Sequence, residues 1–245
     1  MNLNYKSYWR KTGLKGKWGN IFLQRLSTYN PKNVLEIGVF CGVTARNTCD
    51  LLDKINGKDF TYVGVDLFGS DQSKKKDEIE PSFLKDQKFS NPLKNIYYNY
   101  ILRENLNSID SVSKLLKKYS DNIKLIAGDT NTVLKELDLQ KFDFVFCFGV
   151  LYHLKNPYLA IENLYKVTKE TLFLETQGIK NQNYFNAKIS MDDGFIRHSS
   201  NALSFLLKKA GFKKVEIILD AYDKRTLENY TSSSNIQNIV LKAQK

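Results

Sequence analysis

The fold is decided by residues 33–42, NVLEIGVFCG, a short apolar run that is closed by Gly38 and Gly42. The run from Asn33 to Ile37 has the length and apolar character of a buried strand. The two glycines allow the backbone to turn tightly and to approach a ligand without a Cβ in the way. A helical pattern follows at residues 44–55. A strand, a ligand loop and a helix in this order are typical of the first unit of an α/β fold.

The same alternation of strands and helices continues to the end of the chain. After a helical lead-in at residues 1–30, helices are predicted at 44–55, 109–119, 130–137, 157–167 and 200–210. Strands are predicted at 33–37, 60–66, 123–127, 142–148, 171–175, 215–219 and 236–241. Asn156 and Pro157 form the N-cap and N1 pair of one helix, and Ser200 caps another. This order predicts a three-layer α/β sandwich with a mostly parallel sheet.

Length and composition favour one soluble domain over residues 1–245. Hydrophobic residues make up 42% of the chain and aromatic residues 13%, which argues against disorder. The longest apolar stretch, residues 142–154, is interrupted by charge and is shorter than the ~20 residues that a membrane span needs. The N-terminus lacks the apolar segment of a secretory signal. The three cysteines show no metal-ligand spacing. We therefore expect a cytoplasmic protein without a membrane partner.

The net charge of +11 suggests an anionic partner, either nucleic acid or a phosphorylated small molecule. Only six of the 37 basic residues are arginine, however, and arginine is the better group for phosphate and base edges. A lysine-rich chain is also what an AT-rich genome tends to encode. A nucleic-acid partner is therefore our second choice.

Acidic residues follow two further predicted strands at the edge where ligands bind in such sheets. Asp66 ends the second strand, and Asp129 and Thr130 follow the third. A carboxylate at the first place can accept both hydroxyls of a ribose, and one at the second can accept from an adenine amine. The G-x-G-x-x-G pattern of dinucleotide binding would need glycines at positions 40 and 43, where Phe40 and Val43 stand.

These elements resemble the class I S-adenosylmethionine-dependent methyltransferases. The resemblance runs from about residue 33 to residue 241 and rests on E-x-G-x-x-x-G after a strand, the acid at 66 and the G-D pair at 128–129. It implies a seven-stranded Rossmann-like sheet with a final antiparallel strand, and S-adenosylmethionine as cofactor. The cofactor-binding residues that it implies are Glu36, Gly38, Phe40, Gly42, Asp66, Asp129, Thr130 and Phe148.

Two branches of that family are similar to different parts of the chain. Residues 148–157, FGVLYHLKNP, together with residues 173–176 and 201–212, resemble the branch that includes the tRNA wobble-uridine carboxymethyltransferase. The N-terminal half is similar to small-molecule and sugar O-methyltransferases. Some of those hold a divalent metal through an acid after the fourth strand. Cys147, Phe148 and Gly149 stand there instead, so no metal is expected.

The chain offers two candidates for a catalytic base. Transfer of a methyl group to an alcohol requires that the hydroxyl proton be removed by a base with a pKa near neutrality. His153, after the fourth strand, is the first candidate, with packing of its loop as the alternative. Glu175, at the predicted end of the fifth strand, is the second. Tyr152, Arg197 and His198 are predicted to bind the acceptor, and Arg197 would pair with a phosphate or carboxylate.

Residues 67–106 interrupt the pattern and are predicted to form a lid over the acceptor, with a surface excursion or an extra helix that helps to make a dimer as the alternatives. Residues 1–17 are predicted to fold over the cofactor. The function that we predict is O-methylation of a small acceptor, such as a sugar or a nucleotide-linked sugar in surface-glycan biosynthesis. Transfer of a methyl or carboxymethyl group to tRNA is one alternative, and a non-catalytic cofactor-binding protein is another. A homodimer is kept open.

Overall fold

The computed structural model describes the chain in eight segments: residues 3–14, 16–68, 91–97, 106–137, 139–179, 187–189, 194–219 and 236–245. Most of the predicted lid, including residues 69–90 and 98–105, lies outside these described residues. None of the described helices is both long enough and apolar enough to cross a membrane.

Helices and strands alternate along the described residues. The helices are α1 Gly16–Tyr29, α2 Val43–Asn56, α3 Pro92–Ile96, α4 Ile109–Leu116, α5 Thr130–Glu136, α6 Pro157–Val167 and α7 Ser200–Ala210. The strands are β1 Asn33–Ile37, β2 Thr61–Asp66, β3 Ile123–Ala127, β4 Phe142–Phe148, β5 Thr168–Ile179, β6 Ala187–Ile189, β7 Ile196–His198, β8 Lys214–Leu219 and β9 Ile236–Gln244. Single 3-10 turns lie at Lys117–Tyr119 and Leu151–His153.

The chain divides into two units, and we describe each by itself. The first unit is Met1–Lys32 with Val39–Asp129. In it β2 and β3 pair in parallel, with Asp66 opposite Ala127. The side chains of β2 are buried from Tyr62 to Val65, which accounts for a strand in this apolar run.

The second unit is Asn33–Gly38 with Thr130–Lys245. In it β4 pairs in parallel with β1 on one side and β5 on the other. The last strand, β9, runs antiparallel between β5 and β8. Aromatic side chains fill this core, and the rings of Phe144 and Phe173 stack at 5.2 Å. The α/β class, the mostly parallel pairing and the final antiparallel strand are confirmed.

The structure differs from the predicted elements mainly in two bounds and in two additional strands. The lead-in is helical only from Gly16, because residues 3–14 form no regular structure and include Tyr8 and Trp9 at positive φ. Strand β5 continues four residues past Glu175, because β9 pairs with it from Thr171 to Ile179. Two short strands, β6 and β7, were not predicted and raise the seven predicted strands to nine in the described residues.

Helix caps agree closely with the sequence. The side chain of Asn156 accepts from the Leu159 N–H at 3.1 Å, and Pro157 is the first residue of α6, as predicted. The cap of α7 is Ser199, one residue before the predicted Ser200, and its hydroxyl accepts from the Ala202 N–H at 3.3 Å.

Candidate active site

The glycine loop after β1 is held in a turn that few sequences adopt. Gly38, Phe40 and Gly42 all have positive φ, at 94°, 51° and 76°. The Gly42 N–H donates to the Val39 carbonyl at 2.9 Å, which closes the turn. A Cβ on Gly38 would overlap Cγ2 of Val150. Glycine at position 38 is therefore required by both the backbone conformation and the space.

Asp66, the last residue of β2, fixes part of this loop. Its Oδ2 accepts from the Phe40 N–H at 2.7 Å, and its Oδ1 accepts from the Phe68 N–H at 2.9 Å. These bonds hold Phe40, a non-glycine residue, at positive φ. Burial raises the pKa of the Asp66 carboxyl, and the Phe40 and Phe68 amides partly offset that rise.

Asp129 lies at the same edge of the first unit as Asp66. The Gly128 N–H donates to the Asp66 carbonyl at 3.0 Å, so the parallel pairing of β2 and β3 extends to the residue before Asp129. Asp129 is exposed. Two carboxylates thus end neighbouring strands, as the sequence predicted.

In the second unit, the ends of β1 and β4 are in register with the middle of β5. Ile37 lies opposite Cys147, and Phe148 lies opposite Glu175. Glu36 is only 2% exposed, whereas Phe148 is half-buried. Thr130 is buried at the first position of α5.

Glu175 lies beside the turn that follows β4. The Glu175 carbonyl accepts from the Gly149 N–H at 3.0 Å, and Oε2 is 3.9 Å from the place where a Gly149 Cβ would lie. Burial, followed by the negative charge of Glu175, raises the pKa of the Cys147 thiol. Cys147 is therefore an unreactive core residue.

His153 is held in an aromatic cluster. Its ring lies 4.1 Å from the Tyr152 ring and 4.4 Å from the Phe195 ring, which meets it edge to face. The Tyr152 and Phe195 rings are 5.4 Å apart. His153 Nδ1 is buried, although the residue as a whole is partly exposed.

Arg197 lies against β5 rather than in solvent. It is 5% exposed, and its Nε and Nη2 both donate to Gln177 Oε1 at 3.2 Å. Its guanidinium carbon lies 5.3 Å from the centre of the Phe195 ring. Gln177 and Glu175 are two residues apart on β5 and so lie on one face of it.

His198 is in the interior of the second unit. It is 2% exposed, and its Nε2 lies 3.4 Å from Tyr158 Oη. Burial lowers its pKa, so the ring is neutral at neutral pH. Its contacts join β7 to α6, and a role in binding the acceptor stays a prediction.

Two residues that contact the predicted site residues were not predicted: Gln177, which accepts from Arg197, and Phe195, which packs against His153. Gln177 would follow from a longer β5, because a strand that continues past Glu175 places every second residue on the same face. No pattern in the sequence indicates Phe195, because it lies beside the short antiparallel pair β6–β7 and meets His153 only in the folded chain. The described residues hold no group of three metal-ligating side chains.

The chain matches a known family over most of its length. Residues 14–217 match the family described as "Methyltransferase domain". A tRNA U34 carboxymethyltransferase of Wolinella succinogenes is 28% identical over 40% of this chain and 39% of its own length. The chain thus matches about two fifths of that curated relative.

Solved structures share the fold. The N-terminal domain of EvdMO1, crystallised in the presence of SAH and D-fucose, has a TM-score of 0.57 at 14% identity, covering 95% of this chain and 84% of that one. The 1,6-didemethyltoxoflavin-N1-methyltransferase of Burkholderia thailandensis has a TM-score of 0.51 at 15% identity, covering 93% and 76%. At such identities these matches show the fold alone. The family match over residues 14–217 shows more: the chain belongs to the methyltransferase-domain family.

Proposed function

We propose that this protein is an S-adenosylmethionine-dependent methyltransferase that methylates a hydroxyl of a small acceptor. The observation that carries the proposal is the carboxylate of Asp66, which ends β2 and hydrogen bonds to the Phe40 N–H of the glycine loop. Asp129 follows the end of the neighbouring strand, β3, by two residues. These are the positions at which the family binds the adenosine of its cofactor.

The residues present fit this cofactor. Backbone N–H groups of Phe40, Phe68, Leu67 and Val39 favour the ionised form of the Asp66 carboxyl, which is the form that accepts from hydroxyl groups. A carboxylate at the end of the second strand of such a sheet suits the vicinal hydroxyls of a ribose. Because Gly38 has no Cβ, the loop can lie directly against Val150, where a Cβ would collide. When bound, S-adenosylmethionine supplies an electrophilic methyl group on a sulfonium.

For an alcohol acceptor we propose residues of the second unit, considered by itself. The hydroxyl oxygen would bond to the methyl carbon while the bond from that carbon to the sulfonium sulfur breaks and SAH is released. The hydroxyl proton would pass to a base within hydrogen-bond reach. His153 Nε2 is the base that we propose, and its ring is held in place by Tyr152 and Phe195. Glu175, beside Gly149, is proposed to bind the acceptor or to stabilise the protonated imidazole.

A sugar or a nucleotide-linked sugar used in surface-glycan biosynthesis is the acceptor that we propose. Planar polar side chains and aromatic rings are suited to a sugar, because the first can bond two hydroxyls and the second can cover a C–H face. Glu175 and Gln177 share a face of β5, and Phe195 lies near Arg197 and His153. The presence of D-fucose in crystals of the EvdMO1 domain is consistent with this class of acceptor. A phosphate on the acceptor, a cytoplasmic location and a homodimer stay predictions.

A tRNA acceptor is the second candidate, favoured by the Wolinella succinogenes relative and by the charge of +11. The two candidates differ in their dependence on salt. Binding to tRNA releases many counterions, so it should weaken by orders of magnitude between low and moderate ionic strength. A small sugar acceptor should show a much smaller dependence.

The test is transfer of labelled methyl from S-adenosylmethionine to sugars, nucleotide-linked sugars and tRNA. We expect label in a sugar class, and we expect His153→Ala to lower turnover about a hundredfold while the affinity for SAH is unchanged. Tyr165→Phe is the control, since the Tyr165 ring packs against Phe212 at 5.1 Å near the end of α6 and neither residue is proposed for the site. Unchanged turnover in His153→Ala would exclude His153 as the base. Binding of SAH without transfer to any acceptor class would favour a non-catalytic protein.

A further inference from the structure

The N-terminal segment, residues 3–14, is a strap that lies on α2 without helix or strand of its own. Its backbone pairs with one side chain of α2: the Lys6 N–H donates to Asn47 Oδ1 at 2.9 Å, and Asn47 Nδ2 donates to the Lys6 carbonyl at 2.8 Å. Tyr5 Oη and Thr44 Oγ1 share a hydrogen bond of 2.8 Å in the first turn of α2. The strap thus meets α2 at the end that follows the glycine loop.

One residue of the strap reaches the glycine loop itself. Arg10 Nη1 donates to the Cys41 carbonyl at 3.1 Å, and Nη2 donates to the Ser111 carbonyl in α4 at 3.0 Å. The guanidinium therefore joins the loop to a helix that lies 70 residues further along the chain. A planar fork can satisfy two carbonyls on different elements at once, which a single ammonium cannot do from one position.

The loop depends on partners from outside itself. The Phe40 peptide is fixed by Asp66, whereas the carbonyl of Cys41 is fixed by Arg10. Gly42, the N-cap of α2, has no side chain with which to cap the helix. Besides the bond from the Gly42 N–H to the Val39 carbonyl, the turn is thus held by two residues from outside it, Asp66 of β2 and Arg10 of the strap.

We propose that Arg10 is a positioning residue for the cofactor loop, so that the strap forms part of the binding site although Arg10 need not touch the cofactor. This rests on the proposed function, because it takes the loop at 38–42 as the cofactor loop. Without the guanidinium, the peptide between Cys41 and Gly42 keeps the bond from the Gly42 N–H to the Val39 carbonyl, but the Cys41 carbonyl loses its bond to Arg10 and the orientation of the peptide is less fixed. Cofactor binding would then have to order it, which lowers affinity.

A simpler role for Arg10 would be to fasten the strap, and the chain offers a control for that role. Tyr8 Oη donates to Asp50 Oδ2, and the Arg46 guanidinium carbon lies 5.7 Å from the centre of the Tyr8 ring. This contact holds the same strap to α2 but does not involve the glycine loop. Tyr8→Phe therefore loosens the strap and leaves the bridge to Cys41 in place.

The experiment compares Arg10→Ala, Arg10→Lys and Tyr8→Phe with the wild type in two measurements. Isothermal titration measures SAH affinity, and hydrogen exchange of the ligand-free protein measures protection of the amides at 40–43. We expect Arg10→Ala to weaken SAH binding about tenfold and to speed exchange in the loop. The SAH affinity of Arg10→Lys should lie between those of the wild type and Arg10→Ala. Millimolar guanidinium should partly restore the SAH affinity of Arg10→Ala. Tyr8→Phe should lower thermal stability but change neither SAH affinity nor the exchange rate of the loop amides.

Each outcome decides the proposal. Equal loop exchange and equal SAH affinity in Arg10→Ala and wild type would overturn it. So would a loss of affinity in Tyr8→Phe as large as that in Arg10→Ala, since Arg10 would then act only by fastening the strap. If the wild type bound no SAH, the proposed function would fail. The exchange data would still show whether Arg10 orders the loop.

Discussion

Replacement of Asp66 by asparagine is the perturbation that separates binding from folding. In the wild type, Oδ2 accepts from the Phe40 N–H at 2.7 Å and Oδ1 accepts from the Phe68 N–H at 2.9 Å. Asparagine keeps one acceptor oxygen and replaces the other by an amide donor. One backbone N–H thus loses its acceptor, and a bound ribose loses one of two carboxylate partners.

The size of the effect follows from the charge that is lost. A hydrogen bond to a charged group contributes about 1.5–3 kcal/mol, against about 1 kcal/mol for a neutral pair. The loss of one charged bond and the weakening of the other amount to about 3 kcal/mol, or about a hundredfold in Kd. Folding should change less, because burial raises the pKa of Asp66 and removal of its charge relieves that penalty.

The assay is isothermal titration of SAH into Asp66→Asn and wild type, with thermal unfolding of both ligand-free proteins. Asp59→Asn is the matched control. Asp59 lies two residues before β2 begins, at the end opposite Asp66, and forms an exposed ion pair with Lys32. We expect weak SAH binding in Asp66→Asn alone, with a small shift in Tm. The same SAH affinity in all three proteins would refute the assignment of Asp66 to the ribose.

Three further predictions concern pH, the loop and stability. Because burial raises the pKa of Asp66 and binding needs its ionised form, SAH affinity should fall on acidification at a higher pH than the ordinary aspartate value of about 3.9 implies, and titrations of Asp66→Asn should show no such fall. Gly38→Ala should lower both Tm and SAH affinity, since its Cβ meets Val150 at a positive φ, and wild-type values in calorimetry would contradict this. Tyr119→Phe removes a donor to Asp50 and should cost about 1.5 kcal/mol, or about 3–6 °C in Tm. An unchanged Tm would show that Arg46 and Tyr8 satisfy Asp50 without the Tyr119 hydroxyl.

The glycine loop and the acids at the strand ends could be predicted because their signals are local. Gly38 and Gly42 follow an apolar run directly, and Asp66 directly ends another. The N-cap at Asn156 could be predicted for the same reason, since the cap residue and Pro157 are adjacent in the sequence. In each case the residues that determine the feature lie within a few positions of one another.

Features that depend on distant parts of the chain could not be predicted in this way. The length of β5 is set by β9, which pairs with it from more than 50 residues away. Arg10 meets a carbonyl 101 residues further along the chain. The aromatic cluster around His153 needs Phe195, which is carried there by a hairpin with a weak strand signal. Only the folded chain brings these groups together.

The central claim is that the wild-type chain binds an S-adenosyl donor through the glycine loop and Asp66. Equilibrium dialysis of folded protein against labelled S-adenosylmethionine tests it most directly, with unlabelled SAH as competitor. We expect saturable uptake of one donor per chain, displaced by SAH. No uptake by folded protein would contradict the claim.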